Sequence, residues 1–195
     1  MSIRATALGA AALLALAGCN RSEPQAQNGT TADTMTTNGM AEGNAMADAT
    51  PAALPAAQVF ANAAAASDAF EIETSKLALT NGASASVKSY ARKMIEAHTA
   101  STAKLKTAAE SATPAITPDP ALNAEQQQKL DQLKGLNGTA FDQAYIAEQT
   151  AGHQQTLDTL KAYAATGDVA PLKTFATGLI PTVAAHLNMA KGLKA

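Results

Sequence analysis

The sequence predicts an all-α protein built as a four-helix bundle. Alanine-rich segments, the absence of tryptophan and an aromatic fraction of only 4% favour helices, because alanine has the highest helix propensity and aromatic residues prefer strands. Apolar residues recur every three or four positions over four long segments, which glycine and proline separate. With an apolar fraction of 47%, the 195 residues can bury one core, so four amphipathic helices packed together are expected.

Charge and composition exclude several classes of function. The formal net charge is −2 and no stretch is strongly basic, so nucleic acid is not an expected partner. Neither a glycine-rich phosphate loop nor a Ser-His-Asp arrangement is present, and the single cysteine, Cys19, rules out an internal disulfide. The sequence therefore contains no candidate for nucleophilic catalysis and favours a protein that is not an enzyme.

Residues 1–18 have the features of a lipoprotein signal peptide. Arg4 is followed by an apolar run over residues 5–17, which is too short for a permanent membrane span. The run ends in Leu16-Ala17-Gly18-Cys19, which resembles the bacterial lipobox, so Cys19 is the expected lipidation site. The residue after Cys19 is Asn20, whereas the pattern that resembles an inner-membrane retention signal has an aspartate at this position. We therefore expect a lipid anchor in the cell envelope, facing the periplasm and favouring the outer membrane.

Residues 19–54 form the expected lipidated N-terminus and a disordered linker. Thr, Ala, Asn, Gly and Gln dominate this segment, and no apolar period survives in it. Met35, Met40 and Met46 raise the alternative of a copper site, since thioethers are soft ligands. Their spacing is loose and no histidine accompanies them, so a plain tether is favoured.

The folded domain is expected over residues 55–195. Helix starts and stops predict a first helix from Pro55 to about Gly82 and a second from Ser84 to about Ser111. A short helix at 124–134 follows, with Asn123 and Gln126 as its capping box. The third long helix is expected to begin at Thr139, capped by the pair Thr139 and Asp142. The fourth is expected from Val169 to about Leu193.

All three histidines fall on predicted inner faces. His98 shares a face with Val87, Tyr90 and Met94, and His153 and His186 occupy the equivalent faces of the third and fourth helices. Asp142 lies on the same seam as His153. The inner face of the first helix is predicted to hold the following residues: Val59, Ala63, Ala66, Phe70, Glu73 and Leu77. Glu71 lies off that face, nearer to Phe60.

Four segments resemble successive signatures of a known bacterial family, the ferritin-like group catalogued as domain of unknown function 4142. They are FEIETSKLAL, VKSYARKMIEAHT, LDQLKGLNGTAFDQAYIAEQTAGH and LIPTVAAHLNMA, and the likeness covers about residues 56–193. The resemblance implies a ferritin-like bundle with a long crossover between the second and third long helices, in which the short extra helix lies. It implies no activity.

That topology brings the polar residues to one level. If the second and third long helices start at the same end, His98 and His153 each lie about 14 residues below the start of their helices. The same estimate along the helix axes brings three more residues to nearly this level: His186, Glu71 and Glu73. A small shift of one helix along another is enough to place them in the same layer. The candidate metal or buried polar layer therefore comprises these residues: His98, His153, His186, Glu71, Glu73 and Asp142.

Two interpretations of this layer remain open. Histidines and carboxylates on facing helices bind copper, zinc or iron in bundles, although the Glu-x-x-His pattern of di-iron proteins is absent, since Glu96 points away from His98. Alternatively, each histidine is neutral and hydrogen-bonded, and the layer only fixes the register. The corresponding functions are a metal-binding or metal-sensing lipoprotein, and a non-catalytic interaction or stress protein with an unidentified envelope partner.

Overall fold

The computed structural model describes residues 54–195, which form five α-helices and no strand. The helices are α1 (Ala56–Asn81), α2 (Ala85–Glu110), α3 (Ala124–Lys134), α4 (Gly138–Thr166) and α5 (Ala170–Gly192). The all-α bundle predicted from the sequence is confirmed. None of the five helices is long and apolar enough to cross a membrane.

The predicted signal peptide, the lipidation site Cys19 and the linker with its three methionines lie outside the described residues.

The four long helices stand at the corners of a bundle. Short connections at residues 82–84 and 167–169 make two helical hairpins, α1 with α2 and α4 with α5. The hairpins meet where α1 packs against α4 and α2 packs against α5. Residues 111–137 therefore join diagonally opposite helices, and α3, within this connection, covers α1 and α4. This arrangement places one face of each long helix at a common centre.

Local sequence explains most of the helix ends. The Asn123 side chain accepts a hydrogen bond from the Gln126 backbone while the Gln126 side chain accepts one from the Asn123 backbone, so the predicted capping box of α3 is confirmed. The predicted start of α4 is wrong: Asn137 precedes the helix, and no side chain caps it. Gly138 adopts a φ of 63°, a conformation that glycine reaches without strain, and Thr139 is exposed.

Asp142 joins the first hairpin to α4 instead of capping its own helix. Its Oδ2 accepts hydrogen bonds from the backbone amides of Ala83 (3.2 Å) and Ser84 (2.8 Å), just before α2 begins. Gly82 makes this approach possible, because a Cβ there would lie 2.7 Å from the Ala78 carbonyl oxygen and 2.8 Å from Asp142 Oδ1. Since Gly82 also pairs with Gly138, α2 and α4 start at the same end of the bundle.

The inner face of α1 differs from the one predicted. Val59 is 51% exposed, and Glu73 lies on the surface. The buried face instead includes Phe60, Asp68 and Glu71, about a third of a turn away. The apolar pattern predicted the wrong face of α1 for two reasons. The helix is so rich in alanine that several faces have similar hydropathy, and the face that is buried carries polar residues.

A buried polar layer divides the core into two apolar clusters. The cluster at one end includes Phe60, Leu105, Leu160, Leu172 and Phe175, with Phe60 stacked on Tyr163 at a ring-centroid distance of 3.9 Å. The cluster at the other end includes Val87, Tyr90, Met94, Phe141 and Tyr145. The buried polar residues between and around them are Asp68, Glu71, Thr74, Ser75, His98, Ser101, Gln149, His153 and His186.

Candidate metal centre

The three histidines converge at the centre of this polar layer. His98 comes from α2, His153 from α4 and His186 from α5, and each is at most 8% exposed. Each ring offers a nitrogen such that the three atoms lie within 4.8 Å of one another. The ring centroids are 5.4–5.7 Å apart. The predicted common level of His98 and His153 is therefore realised, and His186 lies in the same layer.

A carboxyl group orients the ring of His98. Its Nδ1 lies 2.8 Å from Oδ1 of Asp68, and the other carboxyl oxygen of Asp68 accepts a hydrogen bond from Thr102 Oγ1 at 3.1 Å. A carboxylate can only accept, so the Nδ1 of a neutral His98 carries the proton and donates it to Asp68. The Nε2 atom is then left with a free lone pair, and it is buried without a hydrogen-bond partner.

His153 is held in the same tautomer by its own helix. Its Nδ1 donates to the backbone carbonyl of Gln149, one turn earlier, at 2.9 Å. Glu71 Oε1 lies 3.7 Å from the same nitrogen, while its Oε2 accepts a hydrogen bond from Gln149 Nε2 at 2.6 Å. Glu71 therefore braces the turn that positions His153, and the Nε2 of His153 is buried without a partner.

His186 completes the cluster without any orienting hydrogen bond among the described residues. Its Nδ1 is also buried and unpartnered. Buried polar atoms normally have a partner, and leaving one unsatisfied costs about 1–3 kcal/mol. Each of the three clustered histidines therefore has a buried ring nitrogen that is available as a donor for a metal ion.

The protonation preferences of the three rings differ. Burial, together with repulsion from the positive charge of His153 and His98 in their protonated forms, lowers the pKa of His186 to about 4. Burial also lowers the pKa of His153, despite the opposing effect of Glu71. For His98, burial acts in the same direction, but the Asp68 hydrogen bond and the nearby carboxyl charges of Glu71 and Asp68 outweigh it and raise the pKa. At neutral pH, His153 and His186 are therefore neutral, the form that binds metals.

Two carboxyl groups lie in the layer without a lysine or arginine beside them. Within residues 54–195, the side-chain ion-pair contacts of Asp68 and Glu71 are to His98 and His153 only. Buried carboxylates are stable only when hydrogen-bonded or paired with positive charge. Thr102 donates a hydrogen bond to Asp68 and Gln149 donates one to Glu71, and the two histidines are their nearest basic groups.

Two of the predicted site residues, Glu73 and Asp142, lie away from the histidine cluster. Glu73 is on the surface, where its carboxylate pairs with Lys76 Nζ at 2.7 Å. Asp142 is buried, but it binds the backbone at the start of α2 and is not part of the histidine cluster. Glu71 lies in the polar layer, where its Oε1 is 3.7 Å from Nδ1 of His153.

The sequence reasoning missed Asp68. Its position three residues before Glu71 was the available signal, since residues three apart share a helix face, but Glu71 was placed off the predicted inner face.

The family model described as "Domain of unknown function (DUF4142)" matches residues 40–193, which include all five helices and all three histidines. The chain belongs to the DUF4142 family. This agrees with the resemblance seen in the sequence. No curated protein is a significant match to this chain.

Solved structures of CopM are similar to this DUF4142 domain. The structure of "CopM in the Cu(I)-bound form" aligns with a TM-score of 0.58 at 17% sequence identity and covers 71% of this chain and 95% of that chain. The structure of "CopM in the Cu(II)-bound form" aligns with a TM-score of 0.57 at 17% identity, covering 70% and 93%. At this identity, the likeness establishes a common helical fold.

Proposed function

We propose that this DUF4142 domain binds a copper ion through His98, His153 and His186. The observation that carries the proposal is the convergence of three buried ring nitrogens, within 4.8 Å of one another, from three different helices. Each of these residues also has a ring nitrogen without a hydrogen-bond partner. Side chains from facing helices are the usual way in which a bundle holds a metal in its core.

The surroundings of the histidines fit a metal site. Metal-binding histidines typically donate their second ring N–H to a carboxylate or a backbone carbonyl, which fixes the tautomer and strengthens the ligand. His98 has such a partner in Asp68, and His153 has one in the Gln149 carbonyl. A metal–nitrogen bond is about 2.0–2.1 Å long, so metal binding has to draw the three rings further inward.

Three considerations favour copper over zinc and iron. Imidazole nitrogens suit copper and zinc, whereas iron(II) sites of this size usually include a carboxylate ligand. The carboxylates of this layer already contact histidine nitrogens: Asp68 is hydrogen-bonded to Nδ1 of His98, and Glu71 lies beside Nδ1 of His153. CopM, whose solved structures are similar to this domain, is in a Cu(I)-bound form in one and a Cu(II)-bound form in the other, which supports copper as the metal proposed here.

The residues of this chain have separable roles in the proposed site. His98, His153 and His186 supply the donor atoms, while Asp68 and Gln149 hold two of the rings in the required tautomer. The apolar clusters at both ends of the layer leave its side chains largely buried. Copper, when bound, supplies an ion that can cycle between two oxidation states, so the domain suits copper storage, delivery or sensing.

His186→Leu is the variant that best separates a metal site from a purely structural layer. Leucine keeps the apolar volume and removes only nitrogens, and the buried Nδ1 of His186 contributes no hydrogen bond to the fold. We expect the wild-type domain to bind one equivalent of copper and the variant to bind it more than ~100-fold more weakly, with unfolding stability unchanged or raised. Competition with a Cu(I) chelator and chemical unfolding measure the two quantities.

Gln154→Leu is the matched control, because Gln154 is an exposed neighbour of His153 on α4. It should leave copper affinity unchanged. Wild-type protein that takes up no copper, or a His186→Leu variant that binds copper as tightly as wild type, would contradict the proposal.

Asp68→Asn tests the orienting role of the carboxylate. Asparagine can still accept the His98 hydrogen bond but lacks the negative charge, so copper affinity should fall about 10–100-fold while binding remains stoichiometric. The exposed Asp158, on α4, provides the control variant Asp158→Asn. Equal copper affinities for the two variants, measured in the same chelator competition, would show that Asp68 has no such role.

We further propose that Cys19 carries a lipid that anchors the domain in the cell envelope, facing the periplasm and favouring the outer membrane. The lipobox-like sequence Leu16-Ala17-Gly18-Cys19 supports this location. A partner protein in the envelope that delivers or receives copper fits the same setting.

Membrane attachment can be measured by fractionation of cells that express the full chain. The wild-type protein should sediment with membranes, whereas Cys19→Ser should not mature as a lipoprotein and should lose the covalent lipid detected by mass spectrometry. Ser22→Ala serves as the neighbouring control. An unlipidated wild-type protein would refute the anchor.

A further inference from the structure

A small cavity adjoins the histidine cluster on one side. Its volume is about 30 Å³, and both His98 and His186 border it. His153 is not among its lining residues, and all four long helices contribute to its walls, so the cavity lies between the histidine cluster and the apolar cluster that contains Leu160 and Phe175. A site needs roughly 10–15 Å³ of such space to hold a water molecule, so this cavity can hold a water or a ligand of two or three atoms.

The cavity has both polar and apolar walls. Ser67 and Ser101 border it, and the Ser67 hydroxyl lies 3.2 Å from the Thr156 hydroxyl in a hydrogen bond across α1 and α4. Asp68 contributes a carboxyl group beside the His98 ring. Leu160, Phe175 and Val183 form the apolar part of the lining. The space therefore suits a small molecule that can accept a hydrogen bond yet has little need of bulk water.

We propose that this cavity is an open coordination position for a small neutral ligand, water in the resting protein. The inference rests on the proposed copper site. Structural metal sites close their coordination shell with protein side chains, whereas sites with three protein ligands keep a further position for an exchangeable molecule. Among residues 54–195, the metal-ligand cluster holds only the three histidines, and the cavity borders two of them.

The charges around the cavity select the class of ligand. Asp68 lines the cavity and Glu71 lies in the same layer, while neither lysine nor arginine occurs among the lining residues. The two carboxylates offset the positive charge of a bound copper ion, so the site attracts anions less than the ion alone would, and neutral molecules of the same size are favoured. The domain therefore admits a diatomic neutral molecule to its copper in preference to an anion.

Carbon monoxide is a suitable probe for the Cu(I)-loaded protein, because it is neutral, diatomic and detected by its infrared stretch. Wild-type protein loaded with one equivalent of Cu(I) should bind one carbon monoxide per copper. Cyanate, a small anion, should compete only weakly. Valine substitutions that fill the cavity from two walls, Ala97→Val on α2 and Ala64→Val on α1, should weaken carbon monoxide binding about 10-fold or more.

Ala103→Val is the matched control, because Ala103 lies on α2 but does not border this cavity. Copper content and circular dichroism are measured for every variant, so that a misfolded variant is recognised. If one of the two cavity-filling variants is misfolded, carbon monoxide binding by the other one tests the proposal. Copper-loaded wild-type protein that binds no carbon monoxide would overturn the open position while leaving the copper site intact. An equal effect of Ala97→Val and Ala103→Val would also overturn it. Failure to load copper at all would overturn the proposed function itself.

Discussion

The convergence of three buried imidazoles is the constraint on which the structure depends. Nε2 of His98, Nε2 of His153 and Nδ1 of His186 are all buried without hydrogen-bond partners. At about 1–3 kcal/mol for each unsatisfied atom, this arrangement is costly for a small bundle whose net stability is typically 5–15 kcal/mol. Hydrogen bonds to Asp68 and Gln149 satisfy only the outward nitrogens of two rings. A cation bound at the centre would satisfy the inward nitrogens and balance the carboxyl groups behind them.

The rest of the bundle holds the three rings at one level. Asp142 binds the backbone at the start of α2, and Gly82 lets α4 approach closely, so α2 and α4 begin at the same end and carry His98 and His153 to the same depth. The apolar clusters above and below then keep most of the layer buried. In such a medium, charges interact more strongly than at the surface, which makes the position of Asp68 beside His98 important for both protonation and metal affinity.

Much of this fold could be predicted from the sequence, because helix signals are local. The capping box of α3 and the glycine and proline stops at the helix ends gave most boundaries correctly, and three histidines on inner faces pointed to their common layer. The inner face of α1 could not be predicted, since alanine offers no contrast between faces and the buried face there carries Asp68 and Glu71. Asp142 was assigned to a local cap, yet its partners are 58 and 59 residues away, a distance over which sequence spacing carries no information.

The central claim is that the three histidines are the ligands of a bound copper ion. X-ray absorption spectroscopy of the domain loaded with one equivalent of Cu(I) tests it most directly, because the spectrum distinguishes nitrogen from sulfur neighbours and reveals imidazole rings by their multiple scattering. We expect a first shell of nitrogen or oxygen donors with three imidazoles and no sulfur. A shell dominated by sulfur, or one without imidazole scattering, would contradict it.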